Sequence, residues 1–520
     1  MLTAQQLFNL GLSNEQKGAL DRALHYYSSI IASWPQEIAP YHRLSVIALQ
    51  RGDPGQALAW TDKAIAINDG LVEMWNNRAL ALAELQQFEE ARRSFDRAIA
   101  IRSDNWEAFY NLGRMLLVQK QFAEAEPAMR RASELDPYSA PTFNNLGLVL
   151  YELYRYDEAC AAFDKALELV PDYTEVLANK AAGLYLARQL DEAEATYRRA
   201  LELAPDVPGI HYSLGSVLLS QGNLSEGFQE HEWRWKLPYW VKLRNYPNQP
   251  LWKGEPLNGE TILVWHEQGA GDTIQFFRFI YDLAKQNCEL IVEVQSDLYR
   301  LLMASISLPN VRLAHSGARH EAFDLHVPLM SLPRLLDVRY ETFRQFKPYV
   351  RPRGNELDEW RRKLKSITPV ENRKRKRIGL VWSGNPEHPL DRNRSMSWET
   401  ISPIVTANKK RFQFFNLQPG HAPGDPDVID LGDALKDYGV TAAIIANLDL
   451  VIAVDTSVVH LTGALGKRVW TMLFHTPDWR WMVNQENTPW YPSMALFSQK
   501  HPGIWDDVIS EINELLALEK

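Results

Sequence analysis

A chain of 520 residues exceeds what one hydrophobic core usually holds, so two or three domains are expected. Hydrophobic residues make up 46% of the chain, and the formal net charge of -9 argues against a nucleic-acid binder. The two cysteines, Cys160 and Cys288, lie far apart, which fits neither a disulfide framework nor a zinc site and favours a reducing, cytoplasmic compartment. No apolar run reaches the ~18 residues that a membrane-spanning helix needs, so no such helix is expected.

Residues 1–240 contain a repeat of 34 residues. Small residues mark it in two columns: Gly11, Ser45, Ala79, Gly113, Gly147, Ala181 and Gly215, then Ala23, Ala57, Ala91, Ala125, Ala159, Ala193 and Gly227. Between them apolar residues recur at helical spacing, so each of seven units is predicted to be two antiparallel helices that pack closely at the small residues. The pattern resembles the tetratricopeptide repeat and predicts an α-solenoid, a superhelix of stacked helix pairs.

A polar column runs through the same repeat. Two positions before the first small residue lie Asn9, Arg43, Asn77, Asn111, Asn145, Asn179 and Ser213. A side-chain amide both donates and accepts, so a ladder of asparagines can bind the backbone of an extended peptide. The ladder resembles the one in O-GlcNAc transferases, which implies that Asn77, Asn111, Asn145 and Asn179 bind a protein acceptor. The alternative is that these amides bond only within the stack of helices.

After an aromatic, proline-bearing connector at residues 241–257, short β-rich runs alternate with helical stretches. The runs are "TILVWH", "ELIVEV", "RIGLVWSG", "FQFFNLQ", "LDLVIAVD" and "RVWTMLF". This alternation predicts parallel sheets covered by helices, in two Rossmann-like halves at residues 258–355 and 356–520. Because such sheets bind ligands at the carboxyl ends of their strands, a cleft between the halves is expected.

The first run leads into a glycine-flanked turn, "VWHEQGAGDTIQFFRF", at residues 264–279. His266 and Glu267 lie near the strand end. Asp272 stands at the start of a helix, beside glycines that let the backbone turn sharply. These three polar side chains are expected to face the cleft. The alternative for Asp272 is a helix cap made through Gln275.

A second segment, "GLVWSGNPEHPLDRNRSMSW", leaves a strand at Trp382 and enters a polar loop. Its candidate ligand-binding residues are Ser383, Gly384, Asn385, Arg392 and Arg394. The arginines can bind phosphate bidentately and the glycine permits close backbone approach. Gln418 follows the next strand, where its side-chain amide can hydrogen-bond the polar edge of a ligand. The alternative is a flexible charged loop.

The strongest constellation is "NLDLVIAVDTSVVHLTGALGKRVW". An apolar strand at residues 448–454 ends at Asp455, and Thr456 and Ser457 can cap the following helix. The free amides and dipole of that helix make an anion site. His460 in the first turn can donate to a phosphate oxygen. The alternative is an ordinary cap followed by a surface histidine.

"DTSVVHLTGALG" is similar to the donor-binding segment of ADP-heptosyltransferases, and the paired halves resemble the GT-B glycosyltransferase fold. With the repeats in front, the whole chain resembles bacterial glycosyltransferases of the O-GlcNAc transferase type. The resemblance implies inverting transfer of a sugar from a nucleotide-diphosphate donor to a protein acceptor, and some such bacterial proteins are linked to flagellin glycosylation. It also implies that Asp272 is the general base, with Glu267 and His266 as rivals.

The chain departs from these families in places. Ser457 occupies the usual glycine of the heptosyltransferases, so the identity of the sugar and nucleotide stays open. No cation-binding motif follows a strand, so we expect metal-independent chemistry, with the nucleotide sugar as co-substrate and no further cofactor.

Two other classes of function remain open. One is a scaffold whose α/β half has lost activity and whose repeats assemble partners. The other is a transferase that acts on lipopolysaccharide-type glycans, as heptosyltransferases do. The asparagine ladder argues against the lipopolysaccharide enzyme, and the presence of Asp272, Asp455 and His460 together argues against the inactive scaffold.

Overall fold

The computed structural model describes residues 2–242, 246, 249–318, 322–339, 341, 347–387 and 391–519. The chain divides into two compact units, Met1–Leu184 and Tyr185–Lys520, called here the repeat unit and the α/β unit. Within the described residues, no helix has both the length and the apolar character needed to cross a bilayer.

Helix pairs fill residues 4–231. Their bounds are α1 Ala4–Gln16, α2 Leu20–Ser33, α3 Ile38–Gln50, α4 Pro54–Ile67, α5 Val72–Glu84, α6 Phe88–Ile101, α7 Trp106–Val118, α8 Phe122–Leu135, α9 Ala140–Glu152, α10 Tyr156–Leu169, α11 Thr174–Leu186, α12 Leu190–Leu203, α13 Pro208–Ser220 and α14 Leu224–His231. First helices begin at residues 4, 38, 72, 106, 140, 174 and 208, which is a strict step of 34 residues. The predicted repeat is confirmed, and α11 runs across the limit between the two units.

At three positions of the first column, glycine faces a bulky side chain on its partner helix. A Cβ added at Gly147 would lie 2.4 Å from the Phe163 ring, and one at Gly113 would lie 2.8 Å from Met129 Cγ. Gly11 faces Tyr27 in the same way, at 2.4 Å. The 34-residue pattern therefore records close approach of the two helices in each pair.

A left-handed turn joins the two helices of each pair. The residue two positions before each second helix has a positive φ. These residues are Gly18, Gly52, Gln86, Lys120, Tyr154, Arg188 and Gly222. Glycine adopts this conformation without strain, whereas the other side chains are held there by the flanking helices.

The α/β unit continues with α15 Pro238–Val241 and a first parallel sheet. Its elements are β1 Thr261–Trp265, α16 Ala270–Phe276, α17 Ile280–Leu283, β2 Glu289–Val294, α18 Ser296–Ser305, β3 Val311–His315, β4 Leu325–Pro328 and α19 Leu332–Leu335. The strand order is β3-β2-β1-β4, with Val264 of β1 opposite Val292 and Val327. Central strand β1 is almost wholly buried and apolar, as expected for a sheet covered on both faces.

A second parallel sheet follows α20 Gly354–Ile367. Its elements are β5 Lys376–Val381, α21 Asp391–Arg394, α22 Trp398–Asn408, β6 Phe412–Asn416, β7 Val428–Asp430, α23 Tyr438–Ala446, β8 Leu450–Val454, α24 Ser457–Ala464, β9 Val469–Leu473, β10 Met494–Ser498 and α25 Asp506–Leu518. The strand order is β10-β9-β8-β5-β6-β7. Read outward from β5, this is the doubly wound order, which reverses direction between β5 and β8.

In both sheets, polar loops lie beside the point at which the strand order changes direction. The direction of the first sheet reverses between β1 and β4, and that of the second between β5 and β8. Ligands of such sheets bind in the crevice outside the carboxyl ends at these points. The predicted parallel α/β region is therefore present. The domain limits at residues 240, 257 and 355 stay predictions, and the connector at 241–257 is described only at 241–242, 246 and 249–257.

Candidate functional site

The two sheets meet where α16, which follows β1, packs on α24, which follows β8. A Cβ added at Gly271 of α16 would lie 3.0 Å from His460 Cδ2 and 3.4 Å from Ser457 Cα of α24. Glycine therefore permits a close approach that a Cβ would crowd. The fold brings together the turn that carries Asp272 and the helix start that carries Ser457 and His460.

Asp272 lies in the first turn of α16, with 21% of its side chain exposed. Its Oδ2 accepts a hydrogen bond from the Gly269 N–H at 3.1 Å, and its Oδ1 forms an ion pair with Arg480. Burial raises the pKa of this carboxyl, and the Arg480 guanidinium opposes that rise. The capping role considered from the sequence is present, with Gly269 as the partner in place of Gln275.

Arg480 is a site residue that the sequence did not indicate. It lies in a short 3-10 helix, Trp479–Trp481, and its side chain is only 9% exposed. Its Nε donates to Gln275 Oε1 at 2.8 Å and its Nη1 donates to Asp478 Oδ1 at 2.8 Å. Because it stands in "DWRW", outside any strand end or glycine-rich turn, no local pattern marks it.

Glu267 is buried in an ion pair with Arg234, which follows the last helix pair. Arg234 donates to Glu267 Oε1 from Nε at 3.0 Å and from Nη2 at 2.7 Å, and neither side chain has exposed surface. Arg234 also donates to Ser331 Oγ at 2.9 Å. Burial outweighs the attraction of Arg234 and raises the pKa of Glu267 to about 7. This environment makes Glu267 an anchor of the loop after β1.

His266, the other rival base, is also engaged. Its Nε2 lies 2.7 Å from Ser316 Oγ, and 19% of its side chain is exposed. Burial lowers the pKa of His266, so the neutral ring is favoured at pH 7. Of the three candidates, Asp272 is the carboxylate that combines exposure with a place beside α24.

The loop after β5 is tied to the loop after β8. Arg394 Nη1 donates to the Asp455 carbonyl oxygen at 2.9 Å, and its Nε donates to Asp391 Oδ1 at 3.1 Å. A Cβ at Gly384 would lie 2.3 Å from Asp391 Oδ1, so a side chain here would disturb the contact between Asp391 and Arg394. Gly384 N donates to Ser395 Oγ at 2.8 Å. The polar loop is thus internally ordered beside Asp455.

The remaining predicted residues of this loop divide into buried and exposed ones. Gln418 is buried, and its Oε1 accepts from the Ser383 N–H at 3.1 Å. Asn385 and Arg392 are exposed, and Asn385 Oδ1 accepts from the Glu387 N–H at 3.0 Å. Ser383, Gly384, Arg394 and Gln418 therefore belong to one cluster, with Asn385 and Arg392 on its outer side.

The segment after β8 has the predicted strand-to-helix form. Thr456 is the N-cap residue of α24 by backbone conformation, without a side-chain cap bond. Ser457 Oγ accepts from the Tyr438 hydroxyl at 2.7 Å. Burial, with nearby Asp478, raises the pKa of Asp455 to about 6. The partly buried Asp455 therefore carries a costly charge at neutral pH.

His460 is a buried histidine. It is 5% exposed, its Nδ1 lies 3.1 Å from the Tyr491 hydroxyl, and its ring stacks on Trp481 with centroids 5.0 Å apart. Burial lowers the pKa of His460 well below its usual value, and two nearby arginines act in the same direction. A neutral ring can donate from one nitrogen only. The surface histidine considered from the sequence is wrong.

In the repeat unit, each candidate asparagine donates to the preceding repeat. Asn77 Nδ2 lies 3.1 Å from Ser45 Oγ, Asn111 Nδ2 3.2 Å from Asn76 Oδ1, Asn145 Nδ2 3.2 Å from the Tyr110 hydroxyl, and Asn179 Nδ2 3.0 Å from Asn144 Oδ1. The amides therefore link neighbouring repeats.

Among the described residues, no cluster of three or more His, Cys, Asp or Glu side chains could hold a metal ion. Both cysteines are buried and unpaired by disulfides.

Known families match the first half of the chain. Tetratricopeptide-repeat models match residues 39–63, 76–140 and 138–206. The structure of YrrB, described as a TPR protein with an unusual peptide-binding site, is 22% identical and covers 35% of this chain and 93% of that one, with a TM-score of 0.31. The PilF structure from Pseudomonas aeruginosa is 24% identical and covers 40% of this chain and 91% of that one, with a TM-score of 0.34.

Two curated proteins are similar in sequence. Protein FlbA of Caulobacter vibrioides is 23% identical over 335 residues, 58% of this chain and 54% of FlbA. Uncharacterized protein MJ0572 of Methanocaldococcus jannaschii is 40% identical over 55 residues, 11% of this chain and 64% of that protein. The chain thus spans less than two thirds of either relative. It carries tetratricopeptide repeats followed by a parallel α/β region.

Proposed function

We propose that the chain is an inverting glycosyltransferase of GT-B type that transfers a sugar from a nucleotide-diphosphate donor to a protein acceptor. The observation that carries the proposal is the contact of α16 with α24 at Gly271 and His460, which sets Asp272 of one sheet beside the helix start of the other. Separate loops at the carboxyl ends of both sheets contribute polar groups to the same place.

The donor diphosphate is assigned to the start of α24. An α-helix leaves its first amides without intrahelical partners, and the helix dipole favours an anion there, although Val459 N–H of α24 already donates to the Thr456 carbonyl at 3.1 Å. Arg394, held by Asp391 and by the Asp455 carbonyl, fixes the neighbouring loop. Preorganised donors of this kind stabilise charge that develops on a leaving group, without a metal ion.

Asp272 is assigned as the general base. A lone pair of the acceptor hydroxyl or nitrogen forms the bond to the anomeric carbon as the bond from that carbon to the diphosphate oxygen breaks. The electron pair leaves with the nucleoside diphosphate, and the acceptor proton goes to the Asp272 carboxylate. Attack opposite the leaving group inverts the anomeric centre.

The acceptor is assigned to the asparagine column of the repeat unit, since tetratricopeptide repeats bind peptides and proteins. Flagellin as the acceptor stays a prediction from family resemblance.

The test is incubation of the purified chain with a panel of nucleotide sugars, followed by measurement of donor hydrolysis and of the melting temperature. At least one donor should raise the melting temperature and be hydrolysed, and hydrolysis should survive EDTA. A matched control is Asp62→Asn, which removes a carboxylate paired with Arg78 in the repeat unit. Hydrolysis that is lost with EDTA and restored by manganese or magnesium would overturn the metal-independent mechanism.

A second candidate is a protein-interaction scaffold without catalysis, favoured by the tetratricopeptide matches over residues 39–206. It predicts that no nucleotide sugar stabilises or is hydrolysed by the chain. The same panel therefore separates the two functions.

A further inference from the structure

Arg480 connects the two sides of the candidate site. Its guanidinium pairs with Asp272 and donates to Gln275, both on α16. The next residue, Trp481, stacks on His460 of α24, with an interplanar angle of 26°. One short segment thus holds the proposed base and contacts the first turn of the helix at whose start the diphosphate is proposed.

Arg480 has two competing roles, as the ion-pair partner of Asp272 and as a cation for a diphosphate. A carboxylate paired with a guanidinium holds its charge but is a weak proton acceptor, because the pair favours the ionised form. A diphosphate at the start of α24 calls for a nearby cation, and arginine binds phosphate oxygens bidentately. Arg480 also pairs with Asp478 at 2.8 Å, which keeps it in place when Asp272 is released.

We propose that Arg480 is the cation that receives the donor diphosphate, and that on donor binding its guanidinium exchanges Asp272 for phosphate oxygens. This inference rests on the proposed function. Asp272 then loses the partner that suppresses its basicity and takes the acceptor proton, while Arg480 stabilises the electron pair that leaves with the nucleoside diphosphate. The base is active only when a donor is bound.

The exchange has a measurable signature in nucleotide binding alone. In the free chain Arg480 is paired with Asp272 and is not available to a diphosphate. The apparent affinity for a nucleoside diphosphate therefore equals the intrinsic affinity multiplied by the fraction of chains in which Arg480 is available. Asp272→Asn should therefore bind a nucleoside diphosphate about three- to tenfold more tightly than the wild type. Arg480→Gln should bind it about tenfold or more weakly, through loss of a charge-assisted contact.

The experiment titrates UDP, GDP, ADP and CDP into the full chain by calorimetry. It uses the wild type, Asp272→Asn, Arg480→Gln, Arg480→Lys and the double variant Asp272→Asn with Arg480→Gln. The affinity gained in Asp272→Asn should vanish in the Arg480→Gln background, since no guanidinium is left to release. Arg480→Lys should restore part of the affinity, because it keeps the charge and loses the bidentate geometry.

The matched control is Asp437→Asn. Asp437 pairs with Arg300 at 2.7 Å and caps α23 through Val440 N at 2.9 Å, a role that asparagine preserves. Nucleotide affinity should be unchanged in this variant. Melting temperatures of all variants are recorded. If Arg480→Gln does not fold, Asp272→Asn is combined with Arg480→Lys instead, where the gain in affinity should be smaller than with Arg480 present.

Three outcomes overturn the inference. If the chain binds a nucleotide and the affinity of Asp272→Asn is no higher than that of the wild type, the exchange is refuted and the proposed function is spared. An equal gain with and without Arg480 would assign the effect to the lost negative charge alone. Failure of the wild type to bind any of the four nucleotides would remove the proposed function together with the inference.

Discussion

Burial sets the charge state of the side chains around the candidate site. The pKa of Glu267 is raised to about 7 and that of Asp455 to about 6, because both carboxyls are removed from water. The same cause lowers the pKa of His460. The pKa of Asp272 is raised for the same reason, although Arg480 and the Gly269 amide oppose that rise. Residue identity alone therefore does not fix the role of each group.

Asp272→Asn should lower the turnover number by about 10²- to 10⁴-fold at saturating donor and acceptor, the usual contribution of a general base. Asparagine still accepts the Gly269 N–H bond, so the fall in melting temperature should reflect the lost ion pair with Arg480 and not a lost cap. Steady-state kinetics with both substrates measures the effect. Near-full turnover would show that Asp272 is not the base, and Glu267 and then His266 would be replaced next.

His460 should make stability depend on pH in a defined direction. Its folded pKa lies below the unfolded value of 6.5, so its contribution is complete above that pH and is lost as pH falls toward the folded pKa. The free energy of unfolding of the wild type, minus that of His460→Gln, should therefore fall between about pH 6.5 and pH 5. Subtracting the variant's free energy of unfolding removes the contributions of Glu267 and Asp455, whose raised pKa values make stability change with pH in the opposite direction. A difference that is constant over this range would contradict the buried, neutral ring.

At the scale of elements, the repeat unit depends on close approach of paired helices. Gly147 on α9 faces Phe163 on α10, and the added Cβ would overlap the ring at 2.4 Å. This contact joins two helices that are consecutive in the chain, so it recurs with the repeat and the 34-residue pattern marks it.

Gly147→Ala should destabilise the chain by about 1–3 kcal/mol through overpacking. Gly55→Ala is the matched control, because Gly55 is also helical and its added Cβ would meet only Asp53 Oδ1, at 3.8 Å. That substitution should be neutral or slightly stabilising, since alanine favours the helix. Urea denaturation of both variants measures the difference. Equal effects at the two positions would refute the packing explanation.

At the scale of the whole molecule, the proposed acceptor and donor sites belong to different compact units. The asparagine column lies in Met1–Leu184, whereas Asp272 and His460 lie in Tyr185–Lys520. Substitutions in one unit should therefore separate acceptor use from donor chemistry.

Replacement of Asn77, Asn111, Asn145 and Asn179 together by alanine should weaken protein glycosylation and spare donor hydrolysis. The control is Asn76→Ala with Asn144→Ala, which removes the acceptors of two of the same inter-repeat bonds from the other side. Both variants should lose stability, by about 0.5–1.5 kcal/mol for each bond. Only the quadruple variant should lose acceptor modification. Equal losses of modification would make the column purely structural.

The sequence by itself determined the helix pairs, because their contacts repeat locally every 34 residues, and it located the six most apolar strands of the two sheets. It missed β3, β4, β7 and β10, which are short or lie at sheet edges, where hydrophobic pattern is weak. It also placed Asp455 directly after a strand, and Asp272 and His460 in the first turns of the helices that follow strands.

Only the tertiary structure decided which charges meet. Arg480 lies 208 positions from Asp272, and Arg234 lies 33 positions from Glu267. No periodicity connects such pairs, since they are formed by the packing of separate elements. Burial then sets the pKa of each group through its whole surroundings, which a local motif does not contain. The sequence therefore predicts where strands end, but it does not predict the charged partners that determine the chemistry of the residues there.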